Sequence, residues 1–446
     1  MMKNEEIAHW AVAQSQKQGA ELAEAFLLRD KSFSVRVRQG KVESIEQAEE
    51  RGLGIRVLVG ERMGFAYTSF LAKGPVEKTV SQAIANAAKT AADKNNALPA
   101  SPARIPELVL YDPKIVATPV EEKIRVAKAV EEAAFAADPR VIKTEHASYG
   151  DTVYEVSIVN SRGVDVNYRG SFCGGSVWVV ARENGDTQTG SGMDYVLDFA
   201  DLKPEVIGQE ASQEAVAMLG AKKVSSQRVP LVMPPRVATQ FLGVLAPALS
   251  AEAVQKGRSL LAGKLGEMVA SPRVTLIDDG TLPRGINSSP VDGEGVPSGR
   301  TVLIEGGQLQ TYLYNTYTAS KDGTDSTGNA SRPSYRGTPE IGPSNLYLEA
   351  GDCNQGELLK DIAQGFYLLE VLGMHTANPI SGDFSVGAAG IWIEKGELAY
   401  PVRGVAVAGN ILDLFRGVEA LGNDLRFYLG YGSPSIRFGP MAVSGE

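Results

Sequence analysis

Apolar residues recur at helical spacing near the start of the chain. Ile7, Trp10, Val12 and Ala13 predict a helix over 3–19 that stops at Gly19. The run 21–28, ELAEAFLL, reads as a strand. Alternation then takes over. Residues 32–38 and 43–50 flank a turn at Gln39-Gly40-Lys41, and 54–59 and 64–68 flank Gly60-Glu61, so 33–70 reads as a meander. An alanine-rich helix is expected over 75–93. Pro99, Pro102, Pro106, Pro113 and Pro119 mark 95–120 as an extended connector. Helical spacing returns over 120–137 with Ile124, Val126, Ala127, Val130 and Ala134. Strands are expected at 142–149, 154–160 and 176–182, and a helix at 202–221.

The pattern changes after a polar linker at 222–227. A strand at 229–233 leads into a helix that Pro234-Pro235 begins and that runs to about 249. Strand candidates follow at 274–277, 301–305, 309–314 and 346–349. The stretch 373–410 opens on a turn-rich run, Asn378-Pro379-Ile380-Ser381-Gly382-Asp383, and passes through Gly387, Ala388, Ala389 and Gly390 as a sharp loop. It ends in strands at 391–394 and 402–407 joined by Lys395-Gly396-Glu397. Dense Gly and Ala between strands lets another backbone approach closely. The expected fold class is α+β. Residues 1–222 would form an N-terminal domain of antiparallel sheet plus long helices, and 223–446 a β-rich antiparallel C-terminal domain. No repeat of solenoid period is visible.

Charge and composition narrow the chemistry. The 44 Lys and Arg against 53 Asp and Glu leave a formal charge of −9. Blocks of basic residues are absent, so no stripe exists to displace phosphate counterions and no nucleic-acid partner is expected. No apolar run reaches the length of a membrane span. The first twenty residues lack the apolar core of a secretion signal, so the cytoplasm is the expected compartment and no membrane partner is expected. Cys173 and Cys353 are expected to be reduced thiols. His9, His146 and His375 are the only histidines, and no two are close enough to share a helix face. A Gly-x-Ser-x-Gly elbow, a Ser-x-x-Lys, a Walker loop and a Gly-x-Gly-x-x-Gly are all missing. Asp278-Asp279-Gly280 follows a strand. Adjacent acids on an extended chain point apart, so these are read as shaping a turn. The run 319–345 is a long Gly/Ser/Thr/Pro loop, and such loops inside compact domains are functional or disordered.

The C-terminal half resembles the TldD/PmbA family, the so-called modulators of DNA gyrase. The resemblance is carried by Ser381-Gly382-Asp383-Phe384-Ser385, Gly387-Ala388-Ala389-Gly390, Trp392, Tyr400-Pro401-Val402 and Ala408-Gly409-Asn410. Asp278-Asp279-Gly280 and Thr327-Gly328-Asn329-Ala330-Ser331-Arg332 belong to it as well. It covers most of the second half and, more weakly, 33–70 and Tyr168-Arg169-Gly170. The match is close to the PmbA/TldE branch. The resemblance implies a cytoplasmic, dimeric protein that acts on unfolded or leader peptides. It also implies that zinc sits in a TldD-type subunit, on a His-Glu-x-x-x-His helix. Counting back from Lys256-Gly257 and Gly263-Lys264-Leu265-Gly266 places that helix at 242–247. Here Leu242, Gly243 and Pro247 stand where the first His, the Glu and the second His would be. None can ligate zinc, and Pro247 is expected to disturb the helix.

The resemblance therefore implies no catalytic residue, no metal ligand and no cofactor in this chain. Its expected partner is a TldD-type subunit carrying zinc, in a heterodimer, or a second copy in a homodimer. Arg332 can fork onto a carboxylate and the Gly-Asn pair exposes backbone donors, so the 319–345 loop is expected to line a peptide-binding cleft. The expected substrate-binding residues are Asn329, Arg332, Ser381 and Asp383. A stand-alone hydrolase with an unrecognised site, and a non-enzymatic modulator of gyrase or toxin targets, are the alternatives.

Overall fold

A computed structural model describes residues 4–445 of the chain. The first half contains α1 (Asn4–Lys17), β1 (Leu22–Arg38), β2 (Lys41–Val59), β3 (Arg62–Thr68), α2 (Lys73–Ala87) and a short α3 (Pro113–Ala117). It continues through α4 (Val120–Ala137), β4 (Val141–Asn160), β5 (Asp165–Glu183), β6 (Asp186–Val196) and α5 (Pro204–Ala217). The strands make one antiparallel sheet in the order β3-β2-β1-β4-β5-β6. That order is symmetric about the β1–β4 pair. On each side the chain runs helix, three-strand meander, helix, so the half consists of two like units joined by the connector.

The turns explain the meanders. Gln39-Gly40, Gly60-Glu61 and Asn184-Gly185 each place two successive residues at positive φ, the backbone of the two-residue hairpin turns that match strand twist. Both units also use one glycine in the same way. A Cβ on Gly64 of β3 would lie 2.0 Å from the Ala83 carbonyl oxygen of α2, and one on Gly190 of β6 would lie 2.2 Å from the Ala211 oxygen of α5. The closing helix of each unit rests directly on bare strand backbone.

Several expected strands are longer than their apolar alternation. The runs 21–28 and 32–38 are one strand, as are 43–50 with 54–59 and 142–149 with 154–160. Charged residues between them keep pairing; Asp30, for example, faces Glu50 on one side and Tyr154 on the other. β6 was not expected, because its sequence alternates polar residues with glycines under α5 instead of with aliphatics. α2 ends at Ala87 instead of 93, and α5 spans fewer residues than 202–221. The connector is not wholly extended: Asp112 accepts the Lys114 N–H at 2.9 Å ahead of Pro113 and so starts α3.

One sheet face lies under the helices. Ala23, Ala25 and Leu27 of β1 pack with α1 and α2, and Phe33, Val35 and Val37 with α4 and α5. The opposite face, from Phe26 outward, meets Val291 and Tyr335 of the second half.

The second half begins with β7 (Gln227–Met233), α6 (Pro235–Leu245), α7 (Ala251–Gln255), β8 (Leu276–Asp279), β9 (Arg300–Glu305) and β10 (Gln308–Leu309). Next come α8 (Thr316–Asp322), β11 (Ala330–Ser331), β12 (Glu340–Ile341), β13 (Leu346–Leu348), α9 (Gln355–Leu359), β14 (Gln364–Leu372), β15 (Asp383–Glu394) and β16 (Glu397–Asn410). α10 (Ile411–Arg416), β17 (Val418–Leu421), β18 (Arg426–Tyr428), β19 (Tyr431–Ser433) and β20 (Ile436–Ser444) complete it. One sheet runs β16-β15-β14-β7-β20-β17, and β16 also pairs with β20, so β7, β14, β15, β16 and β20 close into a ring. A second sheet runs β10-β9-β8-β13-β19-β18. Pairing is antiparallel except at β7–β14 and β13–β19. α6 puts Val237, Phe241, Leu242 and Leu245 into a core shared by both sheets. The fold is α+β with a β-rich second half.

Three local expectations change here. The run Gly387-Ala388-Ala389-Gly390 is strand, not loop: it lies within β15, with an irregularity at Gly390, where a Cβ would sit 2.0 Å from the Tyr367 oxygen. Gln310 N–H still donates to Leu303 O of β9, but residues 311–314 leave the sheet, and Leu313 N–H donates to Leu249 O. The helix over 234–249 is α-helical only to Leu245; Ala246–Leu249, which contains Pro247, continues as a 3₁₀ turn.

Candidate functional site

The loop at 319–345 is built, not loose. α8 opens it under an Asn315–Thr318 capping box, and β11 and β12 pair as a short hairpin. The hairpin tip, 332–339, lies on β2 of the first sheet. Two glycines make room for it. A Cβ on Gly52 would sit 2.2 Å from the Tyr335 ring, and one on Gly54 would sit 2.4 Å from the Tyr335 carbonyl oxygen. Tyr335 itself is buried.

A chain of buried charges fixes the same contact. Arg332 Nη1 donates to Glu24 Oε1 at 2.6 Å, and Arg56 Nη2 donates to Glu24 Oε2 at 2.6 Å. Arg56 Nη1 donates to Glu294 Oε1 at 2.8 Å. The Arg332 guanidinium also lies over the Phe26 ring, 4.4 Å from its centroid. Four charges of alternating sign from β1, β2 and two loops of the second half thus pair out of water, leaving Arg56 Nε and Arg332 Nη2 buried without a hydrogen-bond partner.

Beside this chain is a cleft of about 610 Å³ between the sheet and the second half, within the usual size of a ligand pocket. Phe26, Tyr154, Tyr168 and Phe172 rise from the sheet, and Tyr428 and Tyr431 face them from β18 and β19. Asn329 and Arg332 form part of its wall, and both are engaged by protein partners. Asn329 Nδ2 donates to Asp278 Oδ2 at 2.6 Å, and Arg332 is held by Glu24 and by the Gly337 carbonyl. Ser381 and Asp383 do not line the cleft. They occupy an exposed turn where Ser381 Oγ donates to Asp383 at 2.8 Å and Asn410 Nδ2 donates to Ser381 O and to Asp383. The Asn410 and Ser381 hydrogen bonds hold the Asp383 carboxyl below its ordinary range. The structure therefore unites two of the four expected residues and separates the other two.

No local sequence pattern marks the cleft aromatics or the charge chain as a group. One signal was available: Glu24 and Arg56 interrupt apolar strand runs, a position where a charge demands a buried partner.

Two acids, Asp292 in the cleft wall and Asp278 behind it, titrate unusually. Burial pushes the Asp278 carboxyl up to about 6. Burial, then the Glu294 charge, pushes Asp292 up to about 7. Asp292 accepts three backbone N–H groups, from Glu294, Val296 and Ala330. Both folded-state values exceed the ordinary 3.8. The folded protein therefore binds these protons more tightly than the unfolded chain does, and stability falls as pH rises through 6 and 7. The melting temperature is expected to drop between about pH 5 and 7.5 and then level off, and to drop less in Asp278→Asn. A rise over that interval contradicts the assignment.

Among the described residues, no group of three or more His, Cys, Asp and Glu could hold a metal ion. Leu242 is buried in the core and Pro247 lies in the 3₁₀ turn. Cys173 and Cys353 are both free thiols. No helix among the described residues is long and apolar enough to cross a membrane.

Comparison with known proteins agrees along the whole chain. Residues 23–92 match domain 1 of the PmbA/TldA metallopeptidases, 113–219 the central domain and 226–445 the C-terminal domain. The metalloprotease PmbA of Escherichia coli O157:H7 is 30% identical over 442 residues, which cover 98% of this chain and 94% of that protein. A crystal structure from Thermotoga maritima, described as a modulator of a DNA gyrase, superposes with a TM-score of 0.92 at 32% identity, covering 99% of this chain and all of that one. TldE from Thermococcus kodakarensis shares the fold, with a TM-score of 0.91 at 24% identity and coverage of 98% and 100%. With matched domains end to end and a relative of this identity and coverage, the chain belongs to the PmbA/TldD metallopeptidase family.

Proposed function

We propose that this chain is a zinc-free, PmbA/TldE-like subunit of a cytoplasmic metallopeptidase complex. A TldD-type partner supplies the zinc, and the aromatic cleft holds an extended stretch of an unfolded or leader peptide. One observation carries the reading. At the positions matched to the ligand-bearing helix, α6 offers Leu242, which is core, Gly243, which has no side chain, and then Pro247 beyond the helix end. Zinc requires imidazole, thiolate or carboxylate donors, and these residues have none. Asn329 and Arg332 shape the cleft wall in this reading. The turn holding Ser381 and Asp383 lies outside the cleft and is assigned no direct role.

Mixing the chain with a TldD-type subunit tests this. Cleavage of an unfolded peptide is expected only in the mixture, with zinc following the other subunit. Chelator-insensitive cleavage by this chain alone would establish the stand-alone hydrolase instead. A mixture that binds gyrase but cleaves nothing would establish the modulator. Arg332→Ala is expected to lower turnover by the assembled complex, because the cleft wall loses its anchor on Glu24.

A further inference from the structure

We propose that the cleft selects uncharged peptide segments that carry an aromatic or large aliphatic side chain. This rests on the peptide-binding reading above and names the substrate class of the same site.

Six rings from both halves of the molecule line the cleft. Tyr154 and Tyr168 meet edge to face, with centroids 6.4 Å apart, so their planes present a faceted apolar wall. A third ring, Phe172, meets Tyr195 in the same manner at 6.4 Å. Aromatic side chains gain most from such walls, through buried area and edge-to-face contacts.

The charged side chains of the cleft present no reachable partner to a ligand: Arg332 Nη2 makes no hydrogen bond, but it is buried against Gly54 of β2. Arg332 gives Nη1 to Glu24 and Nε to the Gly337 carbonyl, and Asp292 turns its oxygens to three backbone N–H groups. A carboxylate entering the cleft would lose its water, find no exposed cation and lie near Asp292. An ammonium would meet the Arg332 charge, which already lies over the Phe26 ring that would otherwise attract it. Either charge would be desolvated without a partner, which costs far more than burying an apolar group returns. Neutral side chains escape that cost.

The test uses the heteromeric complex and three peptides that differ only in one central residue, Phe, Lys or Glu. The Phe peptide is expected to show a KM about tenfold below the other two, the scale of one well-packed aromatic contact. Tyr168→Ala, Phe172→Ala and Tyr428→Ala should each collapse the Phe-over-Lys ratio. Phe70→Ala, an exposed aromatic that does not line the cleft, should leave it intact. Equal KM values for the three peptides, with cleavage intact, overturn the proposal, as does a preference for Lys. If the complex cleaves no peptide, the subunit reading fails. Fluorescence anisotropy of the same three labelled peptides on the isolated chain then decides this one, with tightest binding expected for Phe.

Discussion

Glu24→Ala should cost about 3–5 kcal/mol of folding stability, the range measured when one partner of a buried ion pair is deleted. Glu24 is fully buried and is the shared acceptor of Arg56 and Arg332. Without it Arg56 keeps Glu294, but Arg332 keeps only the Gly337 carbonyl. A guanidinium would then sit in a low-dielectric contact with no countercharge. Exposed ion pairs such as Lys256 with Glu252 should cost about 0–1 kcal/mol by the same deletion, because water replaces the lost partner. Urea denaturation of both variants separates the two cases. A loss below about 1 kcal/mol for Glu24→Ala would show that water reaches the charge chain and that the contact between the halves is loose. Replacing Glu24 and Arg332 together by methionine should recover much of the loss, since removing both charges leaves neither stranded.

Gly190→Val is the second large effect. Its Cβ would fall 2.2 Å from the Ala211 oxygen and 2.5 Å from the Ala215 nitrogen of α5. Both atoms are helix backbone, so no rotamer change relieves the overlap. α5 would have to lift from β6, opening the core around Ile207, Ala211 and Ala215. The expected cost is about 3 kcal/mol, at the upper end for overpacking. Gly243→Val adds the same atoms where a Cβ would meet nothing within 4 Å, and it should change stability by less than about 1 kcal/mol, since Val is no worse a helix former than Gly. Thermal melts of the pair decide the matter. Equal melting temperatures would mean that α5 does not lie on β6 as described.

Legibility differed by element. The helix over 120–137 was plain, because a single amphipathic stripe needs only its own residues to be recognised. The hairpin turns were plain for a similar reason: Gly40 and Gly60 bring positive φ with them. β6 was hidden, since its inward positions are the glycines 190 and 192, whose value lies in the helix they admit. The long strands look like fragments in the sequence, because Arg29-Asp30-Lys31 breaks the apolar alternation without breaking the pairing. At the site, Asn329 and Arg332 drew notice through their motif. Their actual partners, Asp278 and Glu24, lie 51 and 308 residues away along the chain. No local pattern reports such a pairing.

The sequence by itself determined the α+β class, the family, and the absence of imidazole or carboxylate at 242, 243 and 247, because each is written in local residue types. It did not determine the symmetric pairing of two helix–meander–helix units, the closure of the β16–β20 ring, or the aromatic cleft. Those depend on which surfaces meet after the chain has folded back on itself. Side chains such as Tyr168 and Tyr428 acquire a common role only through contacts that sequence distance conceals.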